Sequence, residues 1–195
     1  MDETTHPFSR KVLDRANAIE FSDIRLQEGL TAAGAAASLP PVALANGELK
    51  ARFISMTDFA PVDPALAQYT AKRMTELNNI LKKAGFEIGY RIRDEAAFYL
   101  YYANEAGLDK EKAFQRVILQ KILPRIQGSS NLVRDVLANL LNQFMAGESK
   151  VDPSEKDGFL DKLMTLAASG SAIQRKISHM LIRYEQDGFT SYWAS

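Results

Sequence analysis

The chain has 195 residues, 46% of them hydrophobic, and its 24 basic residues balance its 24 acidic residues. These values are typical of a folded globular protein, and they provide no net positive charge that would attract nucleic acid. The chain contains no cysteine, which excludes disulfides, thiol catalysis and cysteine zinc sites and fits a cytoplasmic protein. No apolar run reaches the roughly 20 residues that a membrane-spanning helix needs.

Residues 1–21 predict a short helix followed by one strand. Ser9 is a suitable N-cap for a helical turn that continues to Leu13. The next residues, Ala16–Phe21, alternate their side chains as a strand does. A single strand is not stable by itself, so we expect its partner strands to lie outside this chain, upstream of Met1.

Residues 22–62 predict a connector of low order. Ala32–Pro41 is rich in small residues and ends in two prolines, a composition typical of flexible surface insertions. Leu49–Met56 predicts a second short extended piece. Together these patterns separate the N-terminal strand from a purely helical remainder.

Helical signals begin at Asp63, which is an N-cap followed by proline at the first helical position. Gly85 predicts the end of this first long helix. Asp109 caps a later helix, which Pro124 must kink or end because proline lacks a backbone donor.

The C-terminal part of the chain predicts further helices. Ser129 or Ser130 begins a helix that Gly147 closes. After a polar loop over residues 148–158, Asp152–Glu155 resembles a capping box, although Gly158 favours a start nearer Phe159. The last helix runs from about Ser171 to Gln186 and ends at Gly188, and the aromatic tail Phe189–Trp193 is expected to pack back on the bundle.

The helix within Phe86–Ala103 is apolar almost all the way round, which predicts burial between neighbours on both sides. Its first turn carries Arg91 and Arg93, whose charge has the wrong sign for a helix N-terminus. Something negative must therefore lie nearby. The neighbouring carboxylates of Asp94 and Glu95 are one explanation, and a bound phosphate is the other.

The chain lacks a complete catalytic constellation. It has neither a glycine-rich phosphate loop ending in Lys-Ser/Thr nor a GxGxxG motif. Its two histidines are His6 and His179. His6, near Asp2 and Glu3, could be drawn as a metal site, but a solvated turn explains the same residues. His179 lies beside the apolar stripe of the last helix, which favours a structural role.

Three segments of the chain together resemble McrB-like AAA+ ATPases. Met1–Phe21 is similar to the stretch that precedes the last strand of the ATPase core in that family. Phe86–Glu95, followed by Leu119–Gly128, resembles the helical lid, and Met180–Trp193 resembles the C-terminal end. The resemblance implies a mainly α fold, a helical bundle like an AAA+ lid subdomain, preceded by an orphan strand from an α/β ATPase core.

The resemblance also implies roles for three arginines. Arg15, in Val-Leu-Asp-Arg-Ala, matches the arginine finger that reaches the nucleotide of the next subunit. The family often has consecutive arginines at that position, whereas this chain has Asp14 and Ala16 on either side. Arg93 is the first candidate for the sensor-two arginine of the lid and Arg91 the second, and the sequence does not separate them.

The resemblance divides the chain into a core end (1–21), a connector (22–62) and a helical lid (63–195). The phosphate loop and the metal-binding strand would lie before Met1, so the chain is expected to be a truncated product or one with a misassigned start. The intact protein would bind ATP or GTP with Mg²⁺, form a homo-oligomeric ring and drive a nuclease subunit in a restriction or related defence system. The chain alone is expected to bind no cofactor, to be inactive, and to contact neither nucleic acid nor membrane.

Two other functions remain open from the sequence. A stand-alone helical protein-interaction module would need neither an orphan strand nor an arginine finger. A helical bundle that binds nucleic acid has little support, because the charge is balanced and the aromatic residues are expected to be buried.

Overall fold

The computed structural model describes residues 8–20, 43, 45–47, 50, 52–53, 55–145 and 150–193. Over these residues the protein is a mainly α bundle with one small antiparallel pair of strands. The helices are α1 (Arg10–Leu13), α2 (Met56–Phe59), α3 (Pro64–Leu81), α4 (Tyr90–Glu105), α5 (Lys110–Val117), α6 (Asn131–Asn142), α7 (Lys156–Ser169) and α8 (Ala172–Asp187). The strands are β1 (Gln127–Gly128) and β2 (Thr190–Ser191).

The helix ends follow the local capping chemistry that the sequence predicts. The side chain of Asp63 accepts a hydrogen bond from the Leu66 amide at the start of α3, and Asp109 does the same for α5. Ser171 forms a capping box with Gln174 at the start of α8. Gly188 ends α8 in the left-handed conformation, which glycine adopts without steric cost.

The core lies where helices α3 to α8 meet. Helix α3 packs against α4 and α6, α4 packs against α5, and α8 packs against α6 and α7. The predicted packing on both sides of α4 is confirmed, since α2, α3 and α5 all pack against it, but Tyr90 and Tyr102 are exposed rather than buried. Fully buried leucines fill the centre, each worth about 1.5–3 kcal/mol of apolar burial; they include Leu81, Leu100, Leu137, Leu163 and Leu181.

The C-terminal tail packs back on the bundle, as predicted. Thr190 and Ser191 pair antiparallel with Gly128 and Gln127, and Tyr192 is buried. The sequence did not predict this strand pair. It links the end of the chain to the segment that follows Pro124.

Three predictions near loops need correction. Asp152 does not cap α7; its carboxylate accepts hydrogen bonds from the amide and hydroxyl of Ser154, and α7 begins at Lys156. Met56 begins the unpredicted helix α2 instead of ending an extended piece. Helix α6 ends at Asn142, and Gly147 lies outside the described residues, as do Ala32–Pro41 and His6.

The strand predicted over Ala16–Phe21 was expected to need partner strands outside the chain, and residues 16–20 pair with no strand among the described residues; Phe21 lies outside them. These residues instead pack on the bundle, and the Ala18 amide donates to the carbonyl of Gln120 at 3.0 Å. That carbonyl is available because Pro124, four residues later, has no N–H to donate to it. The bundle therefore supplies a hydrogen-bond acceptor for the Ala18 amide without a sheet.

We call residues 8–20 the N-terminal strap. Within it Leu13 is buried, whereas the other large apolar side chains are exposed. These exposed side chains are Phe8, Val12 and Ile19. The strap is thus anchored at Leu13, while Ile19 lines a cleft and Phe8 contacts the edge of the Trp193 ring, 6.3 Å between centroids.

Two glycines allow a test of the packing around α7: Gly158 lies inside the helix and Gly170 follows its last residue. A Cβ added at Gly170 would lie 2.5 Å from the Leu166 carbonyl oxygen, whereas a Cβ at Gly158 would meet nothing closer than 4.0 Å. We therefore expect Gly170→Ala to lower the free energy of unfolding by about 1–3 kcal/mol. Gly158→Ala, inside α7, should raise it by roughly 0.5–1 kcal/mol. Urea unfolding of both variants checks this, and equal effects of the two substitutions would contradict the geometry.

Candidate functional site

The N-terminus of α4 carries both candidate sensor arginines, Arg91 and Arg93. Its N-cap is Gly89, and no side chain of the described residues caps it. Helices α3, α5, α6 and α8 each have a side-chain cap. The first amides of α4 are therefore left to solvent or to a ligand, and a helix N-terminus favours negative charge.

Local carboxylates neutralise both arginines. The Nε atom of Arg91 lies 3.0 Å from Oε1 of Glu95, one turn further along the helix. Arg93 donates to Oδ1 of Asp94 at 2.8 and 2.6 Å and lies over the ring of Tyr90, 4.9 Å from its centroid. The carboxylates of Asp94 and Glu95 thus compensate the positive charge at this helix N-terminus. A phosphate contact stays a prediction.

The two arginines project to different sides of α4, since residues two apart are about 200° apart at 3.6 residues per turn. On the Arg93 side, Oδ2 of Asp94 accepts a hydrogen bond from the Met56 amide at 3.4 Å, which ties this side to the start of α2. Arg91 is the more exposed of the two, with 59% of its side chain accessible against 30% for Arg93. Arg91 and Arg93, which the sequence could not tell apart, therefore differ in their exposure and in their neighbours.

The Arg91 side of α4 faces the segment from residue 118 to residue 125. Glu95, the partner of Arg91, also binds Nζ of Lys121 at 2.5 Å. Lys121 is a nearly buried cation, with 8% of its side chain accessible. Since Glu95 keeps this second partner, it would remain paired if Arg91 moved away.

The segment from residue 118 to residue 125 has an irregular backbone that positions several polar groups. Helix α5 passes into one π-helical stretch, Ile118–Ile122, and then a 3₁₀ turn, Leu123–Arg125. Arg125 is buried; it donates to the Glu87 carbonyl at 2.9 Å, and its Nε lies 3.0 Å from Oδ1 of Asp14. This contact fixes the strap next to Arg15, which is exposed.

A cleft of about 570 Å³ lies between the strap, the end of α7 and α8. Small and apolar side chains form much of its wall, and its polar lining includes Glu20, Arg175, Lys176, His179 and Tyr192. His179, for which the sequence favours a structural role, is exposed and lines this cleft.

An ion pair between a nearly buried lysine and a more exposed glutamate closes the strap side of the cleft. Both carboxylate oxygens of Glu20 lie 2.8 Å from Nζ of Lys176, and the ammonium lies 4.3 Å from the centroid of the Tyr192 ring. Burial, together with the negative charge of Glu20, raises the pKa of Tyr192 to about 12. The phenol is therefore neutral at physiological pH and serves as an aromatic surface for the ammonium.

Among the described residues, no group of three or more His, Asp or Glu side chains could hold a metal ion. None of the helices in the part of the chain that the structure covers is long and apolar enough to cross a membrane. Lys121 and Lys176 were not among the predicted site residues, although each lies within an apolar helical stripe, which is an uncommon place for lysine.

The Lys121–Glu95 pair gives a direct test of the site's electrostatics. Glu95→Gln would leave a nearly buried ammonium without a carboxylate, and we expect a loss of about 2 kcal/mol, below the roughly 3–5 kcal/mol of a fully buried pair. Lys121→Met, which removes the charge and keeps the apolar stem, should change stability by less than about 1 kcal/mol. The double variant should then be more stable than Glu95→Gln alone, as measured by urea unfolding.

Arg91→Gln is the matched control, because exposed ion pairs contribute only about 0–1 kcal/mol. If Glu95→Gln were no more destabilising than Arg91→Gln, the ion pair between Glu95 and Lys121 would not be the important one.

Comparison with known proteins gives one match. A protein-family model described as "Domain of unknown function (DUF8727)" matches residues 39–189, a range that contains Arg91 and Arg93 but not Arg15. No curated protein and no solved structure matches the chain. Because the match covers most of the chain, this protein belongs to the DUF8727 family, a domain of unknown function.

Proposed function

We propose that this chain is the helical lid portion of a McrB-like AAA+ NTPase. In this proposal a nucleotide-binding core, whose phosphate loop this sequence does not contain, binds ATP or GTP with Mg²⁺. The chain contributes Arg15 to the nucleotide of a neighbouring subunit and an arginine of α4 to its own nucleotide. The proposal includes a ring oligomer and a nuclease partner in a defence system of the cytoplasm, and it assigns no turnover to this chain alone.

The observation that carries the proposal is the side-chain-uncapped N-terminus of α4 with an accessible guanidinium beside it. Free amides at a helix N-terminus and an arginine fork are both suited to phosphate oxygens. The resemblance of Phe86–Glu95 to the AAA+ lid points to the same helix N-terminus. The bundle fold is compatible with the proposal, whereas the AAA+ relationship itself rests on the resemblance.

Of the two candidates, we assign the phosphate contact to Arg91. Its ion pair with Glu95 is largely exposed, and such pairs contribute only about 0–1 kcal/mol, so a phosphate can displace it at small cost. Glu95 would keep Lys121 as its partner. Arg93, by contrast, would have to leave both Asp94 and the Tyr90 ring.

A nucleotide titration followed by amide NMR tests this assignment. We expect MgATP or MgGTP to shift the amide resonances of residues 89–93, with a dissociation constant weaker than about 1 mM, because one arginine and one helix N-terminus provide only a few kcal/mol. Arg91→Gln should abolish these shifts and Arg93→Gln should reduce them less. No nucleotide turnover is expected from the purified chain.

Arg116→Gln is the control, since Arg116 is an exposed arginine in the last turn of α5. Shifts that Arg116→Gln removes as effectively as Arg91→Gln would indicate unspecific attraction. Measurable turnover by the chain alone would contradict the assignment of the catalytic core to another part of the protein.

A second candidate function is a stand-alone helical interaction module without NTPase activity. It is favoured by the contacts of the strap, because Leu13 is buried and the strap carboxylates Asp14 and Glu20 pair with cations of the same chain. A segment that awaits a missing core would have less need of these contacts.

Limited trypsin digestion distinguishes the two candidates at the bond between Arg15 and Ala16. A stand-alone module should keep this bond intact while the bundle stays folded, because the flanking residues are anchored. A lid that lacks its core should release the strap and be cleaved there early. Mass spectrometry of the first fragments gives the answer, and Glu20→Gln, which weakens the strap, should accelerate the cleavage in either case.

A further inference from the structure

The cleft between the strap, the end of α7 and α8 has an excess of positive charge. Among the described residues that line it, Glu20 provides the one carboxylate, whereas Arg175 and Lys176 are both cations. Both carboxylate oxygens of Glu20 lie 2.8 Å from Nζ of Lys176, so the ammonium compensates this charge. Arg175 is exposed, and its guanidinium has no acidic partner in the part of the chain that the structure describes. The cleft therefore presents one uncompensated cation with a planar set of donors.

Tyr192 adds a hydrogen-bond donor to the same cleft. Only 3% of this residue is exposed, and its hydroxyl has no hydrogen-bond partner among the described residues. The phenol is protonated at physiological pH because its pKa is about 12, so its hydroxyl can donate. Buried polar groups are normally hydrogen-bonded, and an acceptor in the cleft would satisfy this one.

His179 lies one helical turn beyond Arg175, and residues four apart project from the same side of a helix. Both residues line the cleft. The imidazole of His179 is exposed and, over the described residues, makes neither an ion pair nor a hydrogen bond. A neutral imidazole can donate through one of its ring nitrogens. Arg175 and His179 thus offer donors from successive turns of α8 to the same space.

The remaining wall of the cleft is apolar and leaves room for more than a simple ion. The cleft has a volume of about 570 Å³, within the range of about 300–1,000 Å³ that is typical of small-molecule sites. Such sites combine a mainly apolar lining with a few polar groups that fix the orientation of the ligand. The apolar lining residues are Ala18, Ile19, Leu119, Ala167, Ala168 and Ala172.

We propose that this cleft binds a small organic carboxylate, whose acidic group is bound by Arg175 and whose apolar body lies against the alanines of α7 and α8. His179 and Tyr192 are the further donors of the site. A carboxylate fits the fork of a guanidinium, and its single negative charge matches the single uncompensated cation. A phosphate dianion would bring more negative charge than the cleft compensates. The site is separate from the N-terminus of α4, so the inference goes beyond the proposed NTPase function and does not rest on it.

Titration of the full-length chain with 4-phenylbutyrate and with octanoate, followed by amide NMR, tests the proposal. We expect at least one of these acids to shift the resonances of residues 172–179 with a dissociation constant of about 1 mM or tighter. Acetate lacks the apolar body, and 4-phenylbutyramide and octanamide lack the charge. Each of these three compounds should bind several-fold more weakly. The resonances of residues 89–93 should not follow the same titration, which keeps this test distinct from that of the nucleotide site.

Substitutions in the cleft locate the bound acid. Arg175→Gln should weaken binding roughly tenfold or more, because it removes a charged hydrogen-bond donor. Ala168→Leu, at an exposed position of α7, should weaken binding several-fold by filling the cleft. Tyr192→Phe, which keeps the ring beside the ammonium of Lys176, should weaken it less than Arg175→Gln does. Arg116→Gln, on exposed α5 surface outside the cleft, should leave the affinity unchanged.

Four outcomes would overturn the proposal. The first is that neither acid binds, and the second is that acetate or the amides bind as tightly as the acids. The third is an equal loss of affinity in Arg175→Gln and Arg116→Gln, which would indicate unspecific attraction of anions. The fourth is inorganic phosphate binding at residues 172–179 as tightly as the acids, which would indicate an anion site to which the apolar wall contributes nothing.

Discussion

The missing backbone donor of Pro124 is the constraint on which the arrangement of the candidate site depends. Helix α5 passes into a π-helical stretch, closed by the Leu123 amide donating to the Ile118 carbonyl, and then into a 3₁₀ turn that contains Pro124, which cannot donate to the Gln120 carbonyl. The freed carbonyl accepts the Ala18 amide, and the same irregular segment carries Lys121 and Arg125. The strap and the Arg91 side of α4 are both organised around this segment.

The electrostatics of this region follow one rule, in which the cations are buried and their carboxylates are more exposed. Lys121, Arg125 and Lys176 have 6% to 10% of their side chains accessible, whereas Glu95, Asp14 and Glu20 have 27% to 39%. The cations are parts of the rigid bundle and the carboxylates approach from α4 or the strap. Removing a carboxylate from such a pair is expected to cost more than the pair itself contributes, because it leaves a nearly buried charge less well compensated.

Much of the bundle could be predicted from sequence because caps and breakers are local. Asp63, Asp109, Ser130 and Ser171 begin helices where their side chains reach the first amides, and Gly188 ends one. The alternation of Ala16–Phe21 was a weaker basis, because alternation does not say whether a strand or a bundle supplies the backbone partner. The bundle supplies it here through a carbonyl more than one hundred residues away.

The candidate site was less predictable, because its contacts join residues that are far apart in the sequence. The sequence identified Arg91 and Arg93 and named Asp94 and Glu95 as local partners, but it could not tell which arginine faces which neighbour. That distinction depends on Lys121 binding Glu95 and on the Met56 amide binding Asp94. The contact between Glu20 and Lys176 spans almost the whole chain, and the alternation of the strap gave no signal for it.

The contacts of the strap with the bundle bear on the choice between the lid of an NTPase and a stand-alone module. The prediction of a missing core began from a strand without partner strands in the chain. Among the described residues, the bundle provides contacts to Ala18 and Glu20 but no partner strand. What remains for the lid proposal is the segment resemblance and the accessible arginine at the start of α4. The large apolar side chains of the strap do not decide between the two functions, because Ile19 lines the cleft, Phe8 contacts Trp193, and singly exposed apolar residues are common on monomeric proteins.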